Sequence, residues 1–199
     1  MYPVLLVSLG VAFILVMFII KLYNSLVTLR QQQKNSFSQI DVQLTRRYEL
    51  IPNLVESAKA FMKHEQETLE KVILARNQAF QAKKNVSQDP SSADAMTKLI
   101  AAESTVKTVL GSFLAVAESY PELRSNENMK TLMEELASTE NRVSFSRQAY
   151  NDATMEYNIK REVFPSSLIA SIFNFAPCTP FELEDPKARD AVKVSFNKE

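Results

Sequence analysis

At 199 residues with 46% hydrophobic content, the chain has room for one anchored domain of ordinary size and not for two. Two glycines and no tryptophan, set among many Leu, Ala, Glu, Lys and Gln, argue against a sheet protein, which needs turn glycines and β-branched runs at short spacing; the expected class is all-α. The 23 basic and 23 acidic residues cancel, so there is no whole-chain electrostatic footprint for nucleic acid.

Residues 2 to 20 read YPVLLVSLGVAFILVMFII, an uncharged run close to the ~20 residues that a helix needs to cross a hydrocarbon core. A cleaved signal peptide shares the apolar centre but needs a basic stretch before it and a small-residue cleavage site after it. Met1 alone precedes this run and Lys21-Leu22-Tyr23-Asn24 follows it, so the segment is expected to persist as a transmembrane anchor over residues 1–22. Val4, Leu5, Leu6, Phe13, Ile14, Leu15, Phe18, Ile19 and Ile20 carry the span. Lys21, Arg30 and Lys34 lie just beyond it, and the positive-inside bias then puts the N-terminus outside the cell membrane and the body in the cytoplasm. The opposite topology stays open, because a short neutral flank constrains orientation from one side only.

The body is organised around residues 23–80, which hold no glycine and one proline, Pro52. With no Pro or Gly between Lys21 and Glu49, the spanning helix is expected to run straight on into the body. Leu22, Leu26 and Leu29, then Phe37, Ile40, Leu44 and Tyr48, recur at three- and four-residue steps, as on a helix with one buried face. The polar residues 31–35, QQQKN, interrupt the stripe and read as a solvated turn just outside the lipid. Pro52 lacks an N–H and disfavours helical geometry at Ile51, so a helix ends or kinks there. A kink would leave a helix on the order of 90 Å long with shorter partners and an exposed stripe. A turn gives four helices of comparable length that close as an up-down-up-down bundle, and this is the expectation, with Pro52 as the first bundle corner.

The second helix then carries Leu54 to Phe80 and stops before a loop at residues 85–92, where Asp89-Pro90-Ser91-Ser92 signals a new helix start. The third uses Met96, Leu99, Ile100, Val106, Val109, Leu110, Phe113, Leu114 and Ala117 on one face up to Pro121, the second corner, and Ser125 or Asn126 can cap the fourth. In that fourth helix Met129, Leu136, Val143, Tyr150, Tyr157 and Phe164 fall every seven residues, a bundle seam. The bundle domain is thus residues 23–165, with Pro165 as the last corner. An even number of helices returns Phe164 to the membrane end, next to an apolar piece at residues 167–175 that packs on the core as a short extra helix, lies in the headgroup interface or plugs the open bundle end. Residues 166–199 continue as an extended C-terminal tail with Pro177, Pro180 and Pro186 and the acidic Glu182, Glu184 and Asp185. Alternation at residues 192–196 hints at one strand that would need a partner chain.

The sequence lacks the motifs of the common catalytic and metal sites. His64-Glu65-Gln66-Glu67-Thr68 starts like a zinc-protease helix but puts Thr68 where the second His must stand; with one His in the chain, neither a zinc nor a di-iron site is expected. Two glycines could hardly build a phosphate loop or a nucleophile elbow, and nothing in sequence beside the lone Cys178 would lower its pKa. No cofactor is expected. Arg47, Glu140 and Arg147 fall beside apolar seam positions, and because half-buried ions must be paired, they are expected to form interhelical salt bridges that set register.

Several stretches together resemble the bacterial LemA family of membrane-anchored helical proteins. These are YNSLV at 23–27, KNSFSQIDVQLTRRYELIPNLVESAKAFMKHEQETLEKV, ARNQAF, YNDATMEYN, FPSSLIASIFNF, FELED and KVSF, spread over nearly all of the body. The resemblance implies a single N-terminal anchor, a helical-bundle body and no established enzymatic activity. The chain departs from the family where Asn174 replaces the glycine of Phe-Gly-Phe, and where Ala149 stands beside Tyr150-Asn151-Asp152 in place of an aromatic. Asn also tolerates a left-handed turn. The expected function is that of a non-catalytic, single-pass, membrane-anchored interaction or scaffold protein. Its expected partners are the lipid bilayer, further copies of itself and other membrane proteins, with no small-molecule substrate. The alternative is a ligand receptor or enzyme with a polar pocket inside the bundle, for which Arg47, Glu140 and Arg147 are the candidates.

Overall fold

A single helix, α1 (Tyr2–Lys59, 58 residues), carries the chain from its apolar start to the far end of the body in a computed structural model that describes residues 2–182. Residues 2 to 20 are exposed throughout, and from Leu22 onward Leu26, Phe37, Ile40, Leu44 and Tyr48 mark one buried face. Pro52 is therefore not a corner: it sits inside α1, seven residues before the helix ends. Proline costs a helix the bond to the carbonyl four residues back. Here that carbonyl, of Tyr48, accepts instead from Arg76 Nε of the next helix at 2.8 Å, and Leu50, Ile51, Leu54 and Val55 are buried around the break. The chain reverses at residues 60–65 instead.

After that reversal come α2 (Gln66–Gln88), α3 (Ala93–Ala117), the single turn α4 (Pro121–Ser125), α5 (Glu127–Glu162) and the short α6 (Ser166–Ile172). There is no strand among the described residues. The loop expected at 85–92 shrinks to residues 89–92, because α2 continues to Gln88. Ser92 caps α3 by accepting from the Ala95 N–H at 3.2 Å, and Asn126 caps α5 by accepting from Met129 at 3.1 Å. Pro121 opens α4, and Pro165 stands immediately before α6. Residues 31–35 are helical and not a turn, with Gln33 buried. Phe164 lies beyond the end of α5 and is exposed, so it drops out of the seven-residue seam. The stretch 192–196 lies outside the described residues.

The helices run up and down in sequence. Asp41 of α1 pairs with Lys83 near the end of α2, Tyr120 after α3 meets Glu65 at the first reversal, and Gln33 and Arg47 of α1 reach Tyr150 and Glu140 of α5. The four helices are not of comparable length. From Leu22 onward α1 extends about 57 Å and α5 about 54 Å, whereas α2 and α3 are each roughly 35 Å. The short pair covers the membrane-distal part of the long pair, where Phe37 to Met62, Leu69 to Val86, Met96 to Ala117 and Val143 form the main core.

The membrane-proximal part of the α1–α5 pair is closed by α6 and the segment after it. Leu22, Leu26, Tyr157, Ile169, Ala170, Phe175 and Cys178 make a second core there. The chain turns from α6 into that segment at Asn174, whose φ of 53° is left-handed. The Phe175 N–H returns to the Ala170 carbonyl at 2.9 Å and the Asn174 N–H to Ser171 at 3.3 Å, the bond pair of a left-handed helix stop. Ala149 is exposed and takes no part in the core.

Candidate functional site

Arg47 sits one turn before Pro52 on the buried face of α1, and its guanidinium is 3% exposed. It pairs with Glu103 of α3, itself 1% exposed, and with Glu140 of α5 at 2.6 Å. Tyr48 donates its hydroxyl to the same Glu103, so the buried carboxylate receives on both oxygens. Burial pushes the Tyr48 phenol far above its ordinary value despite the adjacent Arg47 and Arg76 cations. Around this cluster, Lys83 donates to Thr45 Oγ1 at 2.8 Å and pairs with Asp41 at 3.0 Å. Arg47, Glu103, Glu140, Lys83 and Asp41 are each ion-paired, while the Arg47 Nε proton finds no acceptor. Arg47, Glu103 and Glu140 thereby tie α1, α3 and α5 together through an ion cluster that is buried at Arg47 and Glu103 and open to solvent at Glu140.

Arg147 does not join it. Its guanidinium lies over the Phe181 ring, 6.0 Å from the centroid, one heptad further along α5 from Glu140. Glu103 was the missing member, and its signal is present in the sequence: a carboxylate one turn after Leu99 and three residues before Val106 on the apolar stripe.

A second constellation holds the segment after α6. Asn151 and Asn158, seven residues apart on α5, each grip one residue of it at both main-chain groups. Asn158 accepts from the Cys178 N–H at 3.0 Å and donates to its carbonyl at 2.8 Å; Asn151 accepts from the Phe181 N–H at 2.7 Å and donates to its carbonyl at 3.3 Å. Tyr157, Tyr150 and Arg161 donate to the carbonyls of Ala176, Thr179 and Phe175 at 2.8, 2.9 and 3.0 Å. Gln33 Nε2 supports Tyr150 from α1 at 2.9 Å. Burial raises the Tyr150 phenol to about 12, and burial likewise pushes the Cys178 thiol up. The arrangement reads main chain and not side chains, as extended segments are held elsewhere.

Open clefts lie away from both clusters. One of about 990 Å³ runs between the end of α1 and α2, past Pro52, Met62, Leu69 and Ile73; another of about 230 Å³ lies between Leu114 and Met133. Among the described residues no three His, Cys, Asp or Glu side chains gather as a metal site. Val4, Leu5, Leu6, Phe13, Ile14, Leu15, Phe18, Ile19 and Ile20 are all exposed on an apolar helix long enough to cross a membrane. The α3 helix is also long and apolar enough, but it packs on α2 and buries the charged Glu103.

Residues 36–196 match the LemA family as a whole. The chain belongs to the LemA family. It is also 25% identical over 175 residues to magnetosome proteins MamQ 1 and MamQ 2 of Paramagnetospirillum magneticum, covering 80% of this chain and 64% of each relative. Magnetosome protein MamQ of Magnetospirillum gryphiswaldense is 25% identical over 168 residues, covering 77% of this chain and 62% of the relative. This LemA protein thus spans just under two thirds of the length of those relatives. Within the family match lie the Arg47 cluster and both asparagine clamps, while the apolar run of α1 precedes it.

Proposed function

We propose that this LemA protein is a non-catalytic, single-pass membrane scaffold whose cytoplasmic rod associates with further copies and with other membrane proteins. One observation carries the reading: α1 passes without a break from an exposed apolar run into the longest helix of the bundle, so anchor and body form one rigid rod. The cations Lys21, Arg30 and Lys34 just past the run favour a cytoplasmic body. Self-association is supported by Val42 on α1 and Phe145 on α5, which the antiparallel register puts at one level and which stay 62% and 73% exposed.

A receptor or enzyme inside the bundle would need Arg47, Glu140 and Arg147 around one chamber. The pairing of Arg47 with Glu103, and the separation of Arg147 from both, favours the scaffold. Crosslinking in native membranes followed by mass measurement of the recovered complex tests the reading. A ladder of copies that Phe145→Glu collapses is expected; monomers without a recurrent partner would remove the scaffold role. A C-terminal reporter active only outside the cell would reverse the orientation.

A further inference from the structure

We propose that the end of α5 together with α6 forms a second membrane contact, seated in the headgroup region of the leaflet from which α1 emerges. The inference rests on α1 spanning the bilayer. On α6, Ile169 and Ala170 turn inward onto Leu22 and Leu26, while Leu168 and Ile172 stay exposed, joined by Phe173 just after the helix and by Val163 and Phe164 just before it. Ile172 is 70% and Phe164 79% exposed, and α6 itself, SSLIASI, carries no charge. A solvated face in water would carry charged and polar side chains; here uncharged Ser171 and Asn174 stand exposed among five exposed large apolar side chains.

Its position selects the occupant. The Phe173 ring lies 4.8 Å from that of Tyr23, centroid to centroid. Tyr23 follows Ile20, the last residue of the apolar run, by about 5 Å along the helix axis. Interfacial segments bury their apolar faces by about 5–10 Å at the headgroup boundary, so the exposed side chains stand at the right depth. The Phe173–Tyr23 contact joins this surface to α1 just past its apolar run. Aromatic and cationic groups ring it, as at a membrane interface: Arg30 lies over Phe175, and Arg161, paired with Glu162, holds the Phe175 carbonyl. A single span leaves tilt to be set by flanking anchors. Two contacts, α1 and this foot, fix the direction in which the rod leaves the membrane.

The chain contains no tryptophan, so single-tryptophan reporters are unambiguous. The full chain is reconstituted into phosphatidylcholine vesicles with bromine atoms placed either near the headgroups or deep in the acyl chains. Ile172→Trp is expected to lose about half or more of its emission to shallow bromines, Phe13→Trp to deep ones, and Leu74→Trp at the far end of the bundle to neither. Leu168→Trp gives the same readout should Ile172→Trp fail to fold. Quenching of Phe13→Trp without quenching of the α6 reporters overturns the foot and leaves the span standing. An unquenched Phe13→Trp removes the span and the foot with it. Blue-shifted but unquenched α6 reporters mean that a second protein copy covers this face, which also overturns the proposal.

Discussion

The Arg76 guanidinium donates from Nε to the main-chain carbonyl of Tyr48 at 2.8 Å, the carbonyl that Pro52, four residues on, cannot reach. Arg76 also stacks over Phe80, 5.1 Å from the ring centroid, which holds the guanidinium in place. Removing it leaves a buried carbonyl without a donor, at a cost of roughly 1–3 kcal/mol. Arg76→Met is therefore expected to destabilise the chain by that amount in denaturant unfolding. In a Pro52→Ala background the helix supplies its own donor, and the same substitution is expected to cost at least about 1 kcal/mol less. Equal costs in the two backgrounds would show that the two positions are not coupled.

This pair also explains where the sequence could be read and where it could not. The periodic stripes of α1, α3 and α5 and the caps at Ser92 and Asn126 depend on local chemistry and are visible in a few neighbouring residues, whereas the left-handed turn at Asn174 is implied only by the family resemblance. Pro52 is different. Whether it breaks α1 depends on a side chain 24 positions later in the chain, and local propensity cannot register that tertiary rescue. Arg47 and Glu140 could be singled out as ions near apolar positions, and Glu103 interrupts an apolar stripe of its own, but no single stripe reveals the helix rotation that brings Glu103 to Arg47. Arg147 has the same periodic credentials and instead meets Phe181, because the segment after α6 occupies that level of the bundle. The asparagine clamps were not legible, since side chains that bind main chain leave no complementary residue in the sequence.

The Arg47 cluster predicts an ordered set of costs. Arg47→Met strands Glu103 in the core without its cation, and roughly 3–5 kcal/mol of stability is expected to be lost. Arg47→Met combined with Glu103→Gln removes both charges and keeps an acceptor for the Tyr48 hydroxyl, so most of that loss should return. Glu140 is 48% exposed at its side chain, and Glu140→Ala is expected to cost less than about 1 kcal/mol. Urea unfolding followed by helix content ranks the three. An Arg47→Met loss no larger than that of Glu140→Ala would mean the cluster does not hold the register.

The grip of α5 on the following segment can be read through its buried thiol. Cys178 is 4% exposed, and burial raises its pKa, so alkylation in the folded chain is expected to be slow. Asn158→Ala deletes both bonds to the Cys178 main chain, each worth about 1 kcal/mol, and opening of the segment should accelerate alkylation about ten- to a hundredfold. Thr97→Ala, on the exposed face of α3, should leave the rate unchanged. A rate indifferent to Asn158→Ala would place the strength of this closure outside the Asn158 clamp, in the remaining main-chain bonds and the apolar contacts of Phe175 and Phe181.

Tyr150 makes the folded state sensitive to alkali. Its phenol is fully buried, donates to the Thr179 carbonyl and accepts from Gln33, and burial holds its pKa at about 12, against about 10 in an unfolded chain. The folded state favours the neutral form, so the contribution is complete below pH ~10 and is lost as pH rises toward ~12. The amount is on the order of 2 kcal/mol for a shift of this size. Tyr48 and Tyr157, raised in the same direction by burial, add to the slope. Tyr150→Phe is expected to be less stable than the parent near neutrality, because Gln33 and Thr179 lose their partner, yet to show a shallower decline between pH ~10 and ~12. Denaturant midpoints across that range measure both effects. Parallel declines in the two proteins would assign the alkaline sensitivity to the other buried phenols.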